Sequence, residues 1–192
     1  MRRHLLFLAI AAAILAPALR ALVLQAQEPE PPITAQVPAC PSTATLDHLI
    51  SAIDSAVSGP GNQDRTCFRQ LFLPDARLIP IRVAADGTAT PRILTVQDWI
   101  DAVAKRGSAV FYEHQVKVRT ETWAHMAHLW STYETRTTPN GTPPEGKAPE
   151  GRVLDRGINS IQAVYDGKRW QVIEILWQAE VPADPVPQKY LP

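Results

Sequence analysis

The clearest hydrophobic pattern of the chain lies in its last third, around the pair Asp166-Gly167. Runs rich in β-branched and aromatic residues flank this pair, and both of its residues tolerate positive φ, which is typical of a tight hairpin turn. Residues 157–180 are therefore predicted to form a long β-hairpin. Residues 110–121 alternate between two faces, residues 124–136 form the predicted returning strand, and a Pro- and Gly-rich loop over 137–152 follows. The second half thus predicts four long antiparallel strands.

Helical periodicity replaces this alternation in the first half of the domain. Apolar residues recur at three- and four-residue steps from about residue 45 to the Gly59-Pro60 pair, which ends the first helix. A short helix over 63–72 and a third over 95–105 follow, the last opened by the capping-box spacing of Thr95 and Asp98. Short strands are predicted over 77–83 and 92–94. This order indicates an α+β fold, in which a curved antiparallel sheet packs against three helices of the N-terminal half as a cone-shaped α+β barrel.

The N-terminal segment has a different pattern. Arg2 and Arg3 precede an apolar run over residues 5–19, and small residues follow it up to Ala26. This layout is typical of a secretory signal peptide cleaved after Ala26, and an uncleaved anchor over 5–24 is the alternative. The predicted division is a signal peptide over 1–26, a Pro-rich linker over 27–42, one domain over 43–182 and a C-terminal tail over 183–192. An exported protein, periplasmic or extracellular, is expected.

Export bears on the two cysteines, Cys40 at the end of the linker and Cys67 inside the second predicted helix. An oxidising compartment favours a disulfide between them, and this bond would tie the linker to the domain. Two cysteines alone leave a second arrangement open, with a buried thiol at Cys67 and a free thiol at Cys40.

The net charge of the chain and the spacing of its histidines bear on which partners and metal ions are expected. The chain has 19 basic and 19 acidic side chains, and this formal net charge of zero favours neither nucleic acid nor an anionic membrane as the main partner. His125 and His128 lie three positions apart on a predicted strand, so they face opposite sides and do not indicate a shared metal. We expect no metal, no cofactor and no stable membrane span after cleavage.

Three short segments add a resemblance to this element order. They read Leu-Phe-Leu-Pro-Asp-Ala-Arg at residues 71–77, Ala-His-Leu-Trp-Ser-Thr-Tyr-Glu at 127–134 and Asp-Gly-Lys-Arg-Trp-Gln-Val at 166–172. Over roughly residues 43–180 the chain resembles the nuclear transport factor 2-like proteins of the SnoaL-like, ketosteroid-isomerase-like and scytalone-dehydratase-like groups. The resemblance implies the cone fold with a ligand pocket between sheet and helices, and it leaves the activity open.

Strand alternation predicts which residues line such a pocket. It assigns Tyr112 and His114 to the inner face of the first long strand, where an imidazole can act as acid or base near neutral pH. On the last strand both faces are apolar, so one phase buries Glu174 as a base, whereas the favoured phase turns Trp177 inward and Glu174 outward. Two apolar faces also predict a homodimer through the outer sheet face. The full set of pocket candidates is Tyr112, His114, His128, Trp130, Asn159, Glu174 and Trp177.

Two functions follow from this set. The first is an exported, non-catalytic module that binds a small apolar ligand or another partner, because no complete set of catalytic residues is visible. The second is a small acid–base enzyme of the isomerase, dehydratase or cyclase type, acting without metal on an apolar substrate with His114 or Glu174 as base. A histidine and a carboxylate within hydrogen-bond reach inside the pocket would favour the enzyme.

Overall fold

The structure is a computed structural model and describes residues 39–136 and 153–192. The predicted signal peptide, most of the linker and the loop over 137–152 lie outside the described residues. Within them, the helices are α1 (Leu46–Val57), α2 (Thr66–Gln70), α3 (Val96–Ala104) and a short 3-10 helix (Gln188–Tyr190). The strands are β1 (Gly59–Pro60), β2 (Phe72–Val83), β3 (Ala89–Pro91), β4 (Val110–Trp123), β5 (Met126–Arg136), β6 (Val153–Tyr165) and β7 (Trp170–Ala179). No helix in this part of the chain is long and apolar enough to cross a membrane.

The strands form one open sheet in the order β1-β4-β5-β6-β7-β2-β3. The neighbours from β4 to β7 are antiparallel, as the alternation predicts, whereas β2 joins β7 in parallel. Parallel pairing needs a long connection, and the chain between β2 and β7 supplies one through β3, α3 and the three intervening long strands. The predicted α+β class with helices on one side of a curved sheet is confirmed, and the sheet is mixed rather than wholly antiparallel.

Two helices begin at side-chain caps, and the sequence predicts the second of these caps. Thr45 Oγ1 accepts a hydrogen bond from His48 N (3.2 Å) at the start of α1. At the start of α3, Asp98 N donates to Thr95 Oγ1 (3.1 Å) and Thr95 N donates to Asp98 Oδ2 (2.9 Å), which completes a capping box. These bonds satisfy N–H groups that lack a partner inside the helix.

The hairpin turn between β6 and β7 also forms at the predicted pair. Gly167 adopts a φ of 96°, a conformation that glycine reaches without a steric penalty. The Asp166 carboxylate accepts hydrogen bonds of 2.8 Å from the backbone N–H groups of the two residues after Gly167. The turn is therefore held by its own residues.

The second helix and the first long strand differ from the sequence expectation. The predicted helix over 63–72 is reduced to α2, and β2 begins at Phe72 instead of residue 77. Pro74 does not prevent this, because the pairing of β2 with β7 is irregular between Phe72 and Arg77. A proline in an irregular stretch removes no regular ladder hydrogen bond.

A buried arginine closes the C-terminal end of α1. Arg65 is buried, and its guanidinium donates hydrogen bonds to the carbonyl oxygens of Ala56, Ser58 (3.2 Å) and Pro60 (3.0 Å). Its Cζ also lies 5.6 Å from the ring centre of Trp99 on α3. Backbone carbonyls thus pair with the two terminal nitrogens of this guanidinium, and the contact with its Cζ positions Trp99 over the inner sheet face.

The two cysteines form a disulfide in the structure, with Cα atoms 5.2 Å apart. The bond joins Cys40, in the segment that precedes α1, to Cys67 on α2. Phe68, the next residue, is 1% exposed and lies at the centre of the core between the helices and the sheet. The bond therefore fixes the start of the domain beside its core.

The C-terminal segment, residues 181–192, crosses the outer face of the sheet. Thr132 Oγ1 on β5 donates a hydrogen bond to Tyr190 O (2.6 Å), and Lys117 Nζ on β4 donates to Leu191 O (2.5 Å). The segment thus passes from the end of β7 to β4 and occupies part of the face for which a homodimer is predicted. That homodimer stays a prediction.

Candidate functional site

A cavity of about 270 Å³ lies between the helices and the inner face of the sheet. Apolar side chains from α1, α2, β2 and β7 form its base, and Trp99 and Trp177 contribute its aromatic walls. Leu154, Asp155 and Arg106 are exposed, and they mark where the cavity meets solvent. Its lining residues are Ile53, Val57, Phe68, Leu78, Trp99, Arg106, Phe111, Glu113, Tyr133, Thr135, Leu154, Asp155, Asn159, Ile175 and Trp177.

One compact polar cluster interrupts this lining. Asn159 Nδ2 donates to Gln115 Oε1 (3.2 Å) and to Glu113 Oε1 (3.4 Å), and Gln115 Nε2 donates to the same Glu113 oxygen (3.1 Å). Ser131 Oγ donates to Gln115 Oε1. Both amide groups are oriented so that their nitrogen donates to Glu113. The cluster therefore consists of one carboxyl group held by two amides.

A bulge in β4 determines which residues reach this cluster. The pairing of β4 with β5 shifts between Gln115 and Lys117, so the intervening Val116 is the extra residue. Before the bulge the inward positions are those of Phe111, Glu113 and Gln115. The expectation that Tyr112 and His114 line the cone is therefore wrong, because a strict period of two cannot hold across the whole strand.

Burial determines the charge state of the cluster. Removal of the Glu113 carboxylate from water and, to a smaller extent, the negative charge of Asp54 raise its pKa to about 7, against the lowering effect of the two amide hydrogen bonds. Burial also raises the pKa of Tyr133 and of Asp155. Near neutral pH the cavity therefore holds a carboxyl group that exchanges a proton readily.

The raised pKa of Glu113 predicts a pH-dependent stability. The folded protein holds this proton up to about pH 7, whereas the ordinary carboxyl pKa is 4.5, so stability falls as pH rises between these values. We expect Glu113→Gln to raise the free energy of unfolding at pH 8 by up to about 3 kcal/mol, with the difference vanishing near pH 4. Urea denaturation across this range measures the effect.

The matched control for this experiment is Glu121→Gln on the exposed end of β4. We expect its difference from wild type to stay small at every pH, because an exposed carboxyl group is solvated in both states. A Glu113→Gln difference that does not change between pH 4 and pH 8 would contradict the assignment of a buried, protonated carboxyl group.

His114 forms a different site, where β4 meets the end of α1. Its Nδ1 lies 2.9 Å from Asp54 Oδ2 on α1, and the same oxygen accepts a hydrogen bond from Gln115 N (3.2 Å). Burial raises the pKa of Asp54. The His114 side chain is 50% exposed in a shallow depression that Tyr112 also lines, and Glu113 borders both this depression and the cone cavity.

The remaining sequence candidates divide between the two faces of the sheet. Asn159 and Trp177 line the cone cavity. His128 and Trp130 lie on the outer face beside the C-terminal segment, which corrects their placement in the pocket, and His128 Nε2 is 3.1 Å from Ser160 Oγ. Glu174 pairs with positions on the outer face, so the reading in which it is a buried base is wrong.

Sequence reasoning missed the residues that carry most of the cavity's chemistry. Glu113 and Gln115 belong to the charged phase of β4, which a regular strand would turn to solvent. Asp54 lies next to the apolar stripe of α1 and gives no separate signal. Only the register with β5 reveals the phase change. Within residues 39–136 and 153–192, no three His, Cys, Asp or Glu side chains gather into a group that could hold a metal ion.

The arrangement of sheet and helices is similar to that of several solved proteins. One is the beta subunit of a proposed aromatic-ring-hydroxylating dioxygenase from Novosphingobium aromaticivorans. The match covers 72% of this chain and 89% of that subunit, with 12% identity and a TM-score of 0.52. A protein of unknown function from Mycobacterium tuberculosis matches 73% of each chain, with 12% identity and a TM-score of 0.50. An NTF-2 like protein of unknown function from Silicibacter pomeroyi matches 71% of this chain and 94% of its own, with 13% identity and a TM-score of 0.48.

The chain has the nuclear transport factor 2-like fold. At 12% identity the likeness concerns the fold alone, and it assigns neither a ligand nor an activity to the cavity. No protein-family model matches the sequence, and no curated protein matches it. The function of this nuclear transport factor 2-like domain therefore has to be inferred from its own residues.

Proposed function

We propose that the protein is an exported, non-catalytic binding module whose cone cavity holds one small, mainly apolar molecule. The observation that carries this proposal is the polar cluster of Glu113, Gln115 and Asn159, which reaches a cavity whose base and aromatic walls are apolar. Ligand pockets combine an apolar wall with a few such polar groups. Export rests on the pattern of residues 1–26 and on the Cys40–Cys67 disulfide, which oxidising compartments favour.

The dimensions and charges of the cavity define the ligand further. About 270 Å³ is slightly below the range of roughly 300–1,000 Å³ found for drug-sized ligands, so the ligand is small. When protonated, Glu113 donates an O–H group, which suits a carbonyl or hydroxyl oxygen on the ligand. Asp155 and Arg106 lie near the opening and carry opposite charges, so the opening favours neither an anion nor a cation. A neutral cyclic ketone or alcohol has the required chemistry.

Side-chain amide signals in NMR spectra test this proposal directly. We expect titration with cyclohexanone to shift the amide signals of Asn159 and Gln115 in a saturable manner, because both amides contact Glu113. The exposed amide of Gln162, on the outer face of the same strand as Asn159, is the internal control. Val57→Phe, which fills the base of the cavity, should abolish the saturable shifts.

Three outcomes would contradict binding in the cone. The first is an absence of saturable shifts for cyclohexanone and for its alcohol, cyclohexanol. The second is an equal shift of the Gln162 amide, which would indicate non-specific association with the sheet surface. A folded Val57→Phe protein that keeps the wild-type shifts would likewise place the ligand elsewhere.

An acid–base enzyme is the second candidate, and the contact between His114 Nδ1 and Asp54 Oδ2 (2.9 Å) favours it. A carboxylate that orients an imidazole is a common arrangement for general acid–base catalysis. Glu113 borders the same depression with a pKa of about 7 and supplies a second proton-transfer group. The His114 pair lies outside the cone cavity, however, so the binding module remains the function that the geometry supports best.

Proton exchange at carbon distinguishes the two candidates. A general base beside a bound ketone would incorporate deuterium from heavy water at the carbon next to the carbonyl, and mass spectrometry detects this exchange. The enzyme requires exchange that His114→Gln or Glu113→Gln abolishes, whereas the binding module predicts saturable binding without exchange above the buffer rate.

A further inference from the structure

A second cavity, of about 620 Å³, lies on the opposite face of the sheet from the cone. Side chains of β2, β5, β6 and β7 form its floor, and residues 183–187 of the C-terminal segment form its roof. Its lining is mostly aliphatic or aromatic. The residues are Ile81, Trp130, Ile158, Ser160, Leu176, Trp177, Gln178, Ala179, Glu180, Ala183, Asp184, Pro185, Val186 and Pro187.

Specific contacts hold this roof in place. Val186 is buried, and its backbone N donates a hydrogen bond to Glu180 Oε2 (3.1 Å) at the end of β7. Further along, the ring of Tyr190 lies 5.9 Å from that of Trp130, centre to centre. Prolines at positions 185 and 187 flank Val186 and restrict the backbone on both sides of it. The cavity thus lies between the sheet and a C-terminal segment that is held against the sheet by specific contacts.

The polar groups of the cavity define what it can hold. Trp130 Nε1 is buried and has no hydrogen-bond partner among the described residues. Buried donors are nearly always paired, so an oxygen acceptor on a bound molecule would complete this site. The charged residues in its lining are Glu180 and Asp184, both acidic, and Arg156 Nη1 lies 3.6 Å from Glu180 Oε1. This distribution of charge disfavours an anion.

We propose that this outer cavity binds a neutral, mainly apolar small molecule that carries a carbonyl or hydroxyl oxygen. Its volume lies within the range of roughly 300–1,000 Å³ that accommodates drug-sized ligands. A peptide strand or a second copy of the chain is a poorer occupant, because the C-terminal segment already covers this part of the sheet. The sheet lies between this site and the cone cavity, and Trp177 borders both.

Prodan, a neutral naphthalene ketone whose emission moves to shorter wavelength in apolar surroundings, is a suitable probe. We expect saturable binding to the full exported chain, with a nuclear Overhauser effect between the naphthalene protons and the indole N–H of Trp130. Anilinonaphthalene sulfonate, an anion of similar size, should bind at least about tenfold more weakly.

Two substitutions on the same strand distinguish the two cavities. Ile158→Trp fills the outer cavity and should weaken prodan binding by about tenfold or more, whereas Leu154→Trp obstructs the exposed edge of the cone and should leave it unchanged. Ile81→Trp on β2 repeats the first test should Ile158→Trp not fold. The proposal is overturned by an absence of saturable binding, by a loss in Leu154→Trp alone, or by equal losses in Ile158→Trp and Leu154→Trp. Prodan binding that lacks the Trp130 contact also overturns it.

Discussion

Replacement of Phe68 with alanine is expected to lower the free energy of unfolding by roughly 3–5 kcal/mol. The Phe68 ring is 1% exposed, stacks on Trp99 with ring centres 4.2 Å apart, and lies 4.7 Å from the ring of Phe72. Its removal takes apolar atoms out of the core and leaves a void that the surrounding helices and sheet fill only partly. Urea denaturation monitored by circular dichroism measures the loss.

Phe68→Leu is the matched control for this experiment, because it keeps an apolar side chain and removes only part of the volume. We expect it to cost clearly less than the alanine variant, in line with the smaller void. Phe68→Ala should also weaken ligand binding in the cone cavity, because Phe68 lines the base of that cavity. An alanine variant as stable as wild type would contradict the packing of α2 against the sheet.

Reduction of the disulfide is the second large effect that we expect. Cys40 and Cys67 are 27 residues apart in sequence, and a loop of this length contributes roughly 3–4 kcal/mol in the chain-entropy model. The bond restricts the unfolded chain more than the folded one, so a reductant should lower the melting temperature. The double variant Cys40→Ala/Cys67→Ala should show the same melting temperature with and without reductant.

A thiol titration provides the independent measurement. The oxidised protein should show no reactive thiol under denaturing conditions, and two after reduction, because Cys40 and Cys67 are its two cysteines. Two titratable thiols in the protein before reduction, together with a melting temperature that the reductant leaves unchanged, would exclude the bond.

The features that the sequence predicts well depend on neighbouring residues. The capping box of Thr95 and Asp98 and the turn at Asp166-Gly167 involve groups within a few positions of one another, so their chemistry is visible in the chain itself. The class of the fold follows from the order of such elements. The parallel pairing of β2 with β7 joins distant segments and has no comparable local signal.

The same contrast between local and distant contacts applies to the candidate site. One additional residue, Val116, shifts the phase of β4 and exchanges the inward positions, so Glu113 rather than His114 reaches the cone. Nothing in the alternation of residues 110–121 marks this bulge, because both phases contain residues that a half-buried strand tolerates. Asn159 and Trp177 lie on stretches of β6 and β7 whose mutual pairing is regular, so no phase change displaces them from the cavity.

The crossing of the outer face by the C-terminal segment has a consequence for the order of folding. Thr132 and Tyr190 are 58 positions apart, and Lys117 and Leu191 are 74 positions apart. Contacts between such distant positions form slowly, because the intervening chain loses freedom before the contacts stabilise it. The outer face of β4 and β5 is therefore expected to stay open until late in folding, when residues 190 and 191 dock on it.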